Sequence, residues 1–324
     1  MRYPTLIGLL LLLGGALYAQ QVPQYSLYML NRFELNPAYA GLDDALSLTG
    51  ALRRQWVSLE GAPATQMGSA HLPIYLTNGG FGVQFSNETL GPVTSTLFTG
   101  AYNVQLPLGR SALLSLGVGG GLLQQTLDGT ALRTPEGVYN TDPGSALDHN
   151  DPFLSEALQN GTTPVFNAGV YLQTESFEFG VASTQNLEPE LSAGPTTLRL
   201  RRSYTAHAFY RWDALRQLAI RPSAVVRSDA RQTQIELSAL FEYNENIFAG
   251  ASFRGYTAAS RDAVVLIAGL RLNEQTTLGY AYDLTLSGLR QASDGSHELL
   301  INYRLGRPIG KGRPPKIIYN PRAL

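Results

Sequence analysis

From about residue 45 to residue 305 the chain is written in segments of roughly ten residues whose side chains alternate between apolar and polar, each closed by turn residues. Alternation with period two sends one set of side chains to one face of a strand and the other set to the opposite face. Phe81, Val83 and Phe85 interleave with Gly82, Gln84 and Ser86. Ala112, Leu114, Leu116, Val118 and Leu122 share one parity, against Ser115, Gly117, Gly119 and Gly121. Ile235, Leu237, Ala239 and Phe241 alternate with Gln234, Glu236, Ser238 and Glu242, and Leu278, Tyr280, Tyr282 and Leu284 with Thr277, Gly279, Ala281 and Asp283. Beyond the first residues there is no apolar run of about eighteen, so a membrane could be crossed only by strands.

The pattern predicts strands near 45–57, 64–75, 79–88, 93–106, 111–126, 163–175, 177–186, 198–211, 217–228, 233–243, 246–256, 262–272, 276–286 and 296–305. The expected fold class is all-β: a transmembrane antiparallel β-barrel of about 14 strands (12–14), with an N-terminal plug or cap segment. A soluble β-sandwich also alternates, but its surface would carry more charge. Here charged residues are only 15% of the chain, against about 25% in ordinary soluble domains. Tyrosine, with 17 copies, suits side chains lying half in an apolar phase. The chain has no cysteine, which excludes disulfides, thiolate metal sites and a cysteine nucleophile. Its formal net charge of −1 provides no field for nucleic acid.

Residues 1–19 read as a secretory signal peptide: Arg2, an apolar stretch Leu6 to Leu13, and Leu17-Tyr18-Ala19 before a cut at Gln20. Residues 20–44, rich in aromatic and turn residues, are expected to plug the lumen or cap its periplasmic mouth. Residues 45–305 form the barrel. Residues 306–324 are a tail carrying Arg307, Lys311, Arg313, Lys316 and Arg322 without an acidic side chain, readable as a solvated tail or as a docking peptide. The long connection 127–162 and the shorter 186–197 follow odd-numbered strands and so share one end of the barrel, the end expected to face outward. Asn244-Glu245-Asn246 and Asn273-Glu274-Gln275 are tight turns for the other end. Arg199, Arg201 and Arg202, beside the second long loop, are the densest basic cluster and a candidate rim patch for acidic partners or lipid phosphates.

His297-Glu298, ahead of Leu299-Leu300-Ile301, imitates the start of a zinc-protease helix. A second histidine one helical turn on is missing. On a strand the two adjacent side chains point to opposite faces and cannot act on one substrate. Glu298 is expected to face the lumen and to pair with Arg254 or Arg271. Gly306 to Gly312 is one residue short of a phosphate loop, and Gly250 to Gly255 lacks the spacing of a nucleophile elbow. No catalytic, metal-binding or cofactor-binding residue is assigned, and no enzyme activity is expected.

Several motifs, taken in order, resemble the PorP/SprF family of type IX secretion and gliding-motility proteins. They are Gln24-Tyr25-Ser26-Leu27-Tyr28-Met29, Leu35-Asn36-Pro37-Ala38-Tyr39-Ala40-Gly41, Arg53-Arg54-Gln55-Trp56-Val57, Gly61-Ala62-Pro63-Ala64-Thr65-Gln66 and Ser69-Ala70-His71. Near the end come Gly279-Tyr280-Ala281-Tyr282-Asp283-Leu284 and Gly295-Ser296-His297-Glu298. Residues 107–197 carry no such motif. The resemblance implies an outer-membrane barrel of a Bacteroidetes-type envelope, surrounded by outer-membrane lipid. Its partners would be type IX secretion components, a secreted adhesin-like protein, or both, with no nucleic acid. The motif residues Asn36, Pro37, Gly41, Gln55, Trp56, Pro63, Gly279, Tyr280, Tyr282, Asp283, Gly295, Ser296, His297 and Glu298 are thereby candidates for structural or partner-contact roles. A channel for small solutes is the alternative function, since a barrel of this width can hold a water-filled path.

Overall fold

A computed structural model describes residues 24–134, 137–139, 147–149, 157–193, 196–255 and 261–305. Fourteen strands close into one antiparallel barrel. They are β1 (Leu46–Arg54), β2 (Ala64–Ile74), β3 (Gly79–Leu90), β4 (Val93–Leu108), β5 (Ala112–Asp128), β6 (Leu158–Thr174) and β7 (Phe177–Thr184). Then come β8 (Ser203–Tyr210, continued after Arg211 by Trp212–Leu215), β9 (Leu218–Ser228), β10 (Thr233–Tyr243), β11 (Ile247–Gly255), β12 (Arg261–Arg271), β13 (Thr276–Thr285) and β14 (Ser296–Leu305). Each pairs with its sequence neighbours, and β1 closes on β14 from Leu46 opposite Leu305 to Arg54 opposite His297. Closure leaves no open edge around the wall, which a hydrocarbon environment requires.

The alternation sorts as expected. Leu52, Phe98, Leu122, Leu237, Phe241, Tyr280 and Leu299 are exposed on the outside, while Ser115, Glu236, Ser238, Asp283 and Glu298 are buried within. Tyr210, Trp212, Tyr243 and Tyr303 lie toward one end of this apolar band, and Phe98 and Phe253 toward the other. Aromatic girdles of this kind mark the two membrane interfaces of outer-membrane barrels. Among the described residues no helix is long and apolar enough to cross a membrane.

Two strand starts lie five residues from expectation. β6 begins at Leu158 rather than 163, because Gln159, Asn160, Gly161 and Thr162 pair fully with β5 but lack the apolar parity by which a lipid-facing strand is recognised. The segment expected at 198–211 starts at Ser203. Thr196–Arg199 instead pairs with Glu190–Ala193 as a separate loop hairpin. Leu200, just after it, is buried beside inward-facing Leu123 and Val165.

The two turns expected to be tight, 244–246 and 273–275, lie at one end. In the β10–β11 turn Asn244 and Glu245 take φ of 50° and 60°, the consecutive left-handed pair of a type I′ hairpin. In the β12–β13 turn Asn273 Oδ1 accepts from the N–H groups of Gln275 (2.9 Å) and Thr276 (2.8 Å). The connections 129–157 and 185–202 lie at the opposite end. Residues Gln24 to Asp44 pass through the lumen. They run from the loop end at Ser26, beside Asp283 and Glu298, to the turn end at Asp43, beside Arg304, where β1 begins. Their apolar side chains make the largest core: Tyr25, Leu27, Tyr28, Met29 and Leu35 pack on inward Phe209, Val225, Leu240, Val265, Ile267 and Leu300.

Candidate functional site

The inner wall binds this segment at three levels. At the loop end a charged network encloses Ser26, whose relative exposure is 0%. Arg53 on β1 donates to Ser26 Oγ (3.0 Å), Glu298 Oε2 (3.1 Å) and Asp283 Oδ2 (2.7 Å). Arg254 on β11 donates to the same Ser26 Oγ (2.8 Å), to Asp283 Oδ2 (3.0 Å) and to Glu236 Oε2 (2.9 Å). Ser26 in turn donates its hydroxyl proton to Asp283 (2.8 Å). The N–H groups of Ser26 and Leu27 donate to the two oxygens of Glu298, at 2.7 and 3.0 Å. Arg227 adds a longer contact of 3.8 Å to Glu236. Three carboxylates and three guanidiniums therefore balance around one hydroxyl, the condition under which buried charge is tolerated.

This corrects the expected partner of Glu298. It pairs with Arg53, its register neighbour on β1, while Arg254 serves Glu236 and Asp283 and Arg271 lies against Glu242 at 3.5 Å. The cause is barrel closure: the seam between the first and last strands brings together residues remote in sequence.

At mid-height Asn36 and Pro37 start a short 3₁₀ turn, Pro37–Tyr39. Asn36 Oδ1 caps it by accepting from Ala38 N (2.9 Å), and its Nδ2 donates to the carbonyls of Val170 (3.0 Å) and Val181 (3.3 Å). Proline suits this first position, where its missing N–H is not needed. The carbonyl of Ala38 accepts from Asn103 Nδ2 (2.9 Å) and Ser115 Oγ (2.6 Å). A Cβ at Gly117 would meet Ala38 Cα at 2.4 Å, so the glycine parity of β5 makes room for the passing segment. Across the lumen the Tyr28 hydroxyl lies 3.0 Å from Ser223 Oγ and 2.8 Å from Ser238 Oγ. Gly279 leaves the space that Leu27 and Leu30 approach.

At the turn end Gly41 takes φ +73° with the Leu72 carbonyl beside it, a conformation that glycine adopts at no steric cost. Its N–H donates to His71 Nδ1 (3.1 Å), leaving Nε2 toward Asp43 (3.6 Å). Burial opposes the charge on Asp43, but Arg304, His71 and the Tyr39 hydroxyl outweigh it and hold the carboxyl down at about 2. Burial, reinforced by Asp43, pushes the Tyr39 hydroxyl well up. Next to this end lies a cavity of about 210 Å³, apolar at Met29, Leu240 and Phe248 and charged at Arg221, Glu242 and Arg271.

The remaining motif residues divide by face. Trp56 N donates to Ser296 Oγ (3.1 Å), Gln55 N to the carbonyl of Pro63 (2.9 Å), and Val57 N to the carbonyl of Gly295 (2.8 Å), tying the β1–β2 loop to β14. Asp283, Ser296 and Glu298 face inward, whereas Tyr280, Tyr282 and His297 face the outside. The three rim arginines have separate neighbours. Arg199 is exposed and pairs with Glu188 (3.4 Å), Arg202 donates to the Asn186 carbonyl (2.8 Å), and Arg201 lies near enough to Asp229 to help lower its carboxyl. Sequence reasoning missed Ser26, Arg53, Glu236 and the inward Leu240, Val265 and Ile267. The run Val264 to Leu270 carried a signal for the last two, being apolar on both parities, as befits a strand dry on both faces.

Residues 17–303 match the family described as Type IX secretion system membrane protein PorP/SprF. The chain belongs to this family. PorP/SprF membership and the closed barrel together make it a secretion-associated outer-membrane barrel, and neither family nor fold is that of a known enzyme class. Among solved structures, the Acinetobacter baumannii outer membrane protein Omp33 is similar at 11% identity and TM-score 0.45, covering 81% of this chain and 98% of that one. A Pseudomonas aeruginosa FadL homologue is similar at 14% and 0.42, covering 83% and 92%. The Ralstonia pickettii toluene transporter TbuX is similar at 10% and 0.46, covering 86% and 92%. No curated protein matches the chain significantly.

Proposed function

We propose that this PorP/SprF barrel works as a plugged, non-catalytic adaptor of the type IX secretion and gliding machinery, assisting the export or surface anchoring of a secreted adhesin-like protein. On this reading residues 1–19 are removed as a signal peptide, 20–44 form the plug, and 306–324 form a basic periplasmic tail. The long-loop face meets the cargo, and the turn face with the tail meets the machinery. The family match supports the secretion role. The observation that carries the adaptor mechanism is the Ser26 network. A segment bonded to strands β1, β13, β14 and β11 at one level, and to β4, β5, β6 and β7 at the next, fills the path that a solute would take. Two measurements test the proposal. The purified protein should be electrically silent in planar bilayers, steady conductance instead favouring the small-solute channel. Gentle solubilisation of outer membranes should bring down secretion components or a large secreted protein, and recovery of the barrel alone would refute the adaptor role.

A further inference from the structure

The outside of the β13–β14–β1 seam carries a polar group that the lumen does not explain. Register sets Arg54 opposite His297 and His297 opposite Tyr282, one outward row at the loop end of the wall. The Tyr280 hydroxyl lies 2.7 Å from His297 Nδ1, and Tyr282 donates its hydroxyl to the Asp294 carbonyl (2.8 Å). Both phenol rings flank the imidazole, with centroids at 6.1 and 5.0 Å. The ring is thus held with Nδ1 engaged, and Nε2 has no partner among the described residues. The neighbouring guanidinium of Arg54 is exposed and also makes no ion pair or hydrogen bond among them. On the membrane side of this row come Leu52, Leu299 and Ile301, all exposed. Two nitrogen donors at the upper edge of an apolar wall match one kind of surroundings: an anionic headgroup with hydrocarbon beneath it.

We propose that Arg54 and His297, the imidazole held in place by Tyr280 and Tyr282, bind the phosphate of an anionic membrane lipid, whose acyl chains lie along Leu52, Leu299 and Ile301. This rests on the membrane placement of the barrel and not on its role in secretion. The rim arginines are less suited, since Arg199 and Arg202 are committed to Glu188 and the Asn186 carbonyl.

The chain has 2 tryptophans, Trp56 beside this row and Trp212 at the far end of the barrel, which permits a local readout. The full chain carrying Trp212→Phe is reconstituted in phosphatidylcholine vesicles with a small fraction of brominated lipid, and Trp56 fluorescence is recorded. Brominated phosphatidylglycerol should quench about fivefold more effectively per mole than brominated phosphatidylcholine, the bias that one basic side chain near a membrane surface supplies. The preference should shrink as salt is raised. Arg54→Gln should abolish it and His297→Gln should weaken it, with the circular-dichroism spectrum unchanged. Phosphorylated but not dephosphorylated lipid A, added as competitor, should restore fluorescence if lipopolysaccharide is the natural source. Competition by neither, with the phosphatidylglycerol preference intact, makes the source a glycerophospholipid. Equal quenching by both brominated lipids overturns the site, as does a preference that survives Arg54→Gln. So does loss of a co-purifying protein from Arg54→Gln with quenching unchanged, which would assign the row to a protein partner. Quenching by neither lipid would instead refute the membrane placement on which the site depends.

Discussion

Replacing Arg53 by methionine removes the guanidinium while keeping most of the apolar stem, so the effect reports charge more than volume. Three charge-assisted bonds vanish, to Ser26, Glu298 and Asp283. Asp283 keeps Arg254 at 3.0 Å, but Glu298 loses its cation and retains only the two N–H donors of the segment. Removing one partner of a buried ion pair costs about 3–5 kcal/mol, because the other charge is left uncompensated. The wall itself should tolerate the change, since its strand ladder is made by the backbone. Undocking the segment would let water reach Glu298, so the cost falls on docking. At about 1.4 kcal/mol per factor of ten, the undocked fraction should rise by at least about a hundredfold. Amide hydrogen exchange in detergent micelles should quicken by that factor across Leu27 to Leu35 and remain unchanged in β1 and β14, and conductance should appear in planar bilayers. Adding Glu298→Gln should recover part of the docking, because a neutral amide needs no cation. Unchanged exchange in the segment would refute the reasoning, and so would equal acceleration throughout the wall.

Three further expectations use the same readout. Tyr28→Phe deletes the hydroxyl shared with Ser223 and Ser238 and should weaken docking by about 1–2 kcal/mol, with exchange of the turn-end residues less affected. Gly117→Val puts side-chain atoms where Ala38 lies and should cost about 1–3 kcal/mol of docking, whereas Gly100→Ala, with nothing within 4 Å of its added Cβ, should be neutral. Glu34, within the segment, has its carboxyl raised to about 7 by burial, with Arg227 opposing and Glu298 adding to the rise. The docked segment therefore prefers the protonated acid. Its contribution is fully present below about pH 4.5 and is lost as pH rises through about 7, so exchange protection should fall between pH 5 and 8 in the native chain and stay level in Glu34→Gln.

The wall was legible because lipid imposes a rule on every strand. A residue facing hydrocarbon must be apolar and its neighbours must turn inward, so Phe81 to Phe85, Ile235 to Phe241 and Leu278 to Leu284 announce themselves without knowledge of the partner strand. The rule lapses where a strand leaves the membrane. Leu158 to Thr162 pairs with β5 as fully as any segment, yet carries the composition of a loop. Thr196–Arg199 erred in the opposite sense, its polar and apolar alternation serving a loop hairpin and not the wall.

The interior was harder to read because its rule is set by whatever fills it. A water-filled lumen asks only for polar side chains, and on that basis Glu236, Arg254 and Asp283 are interchangeable with Ser115 or Thr49. The inserted segment changes the demand at each level: apolar opposite Leu27 and Met29, small opposite Ala38, charged and balanced around Ser26. No local pattern in β1 foretells that Arg53 will meet Glu298, 245 residues away in sequence, since only closure of the ring makes them neighbours. Closure also explains why the motifs Arg53 to Val57, Gly279 to Leu284 and Gly295 to Glu298 occur together. They form one seam, and alternation splits it into Arg53, Asp283 and Glu298 gripping the segment inside and Arg54, Tyr280, Tyr282 and His297 outside. A substitution at one parity of these motifs should therefore disturb docking alone, and at the other the outer surface alone. That separation is what Arg53→Met and Arg54→Gln, adjacent in the chain, are placed to measure.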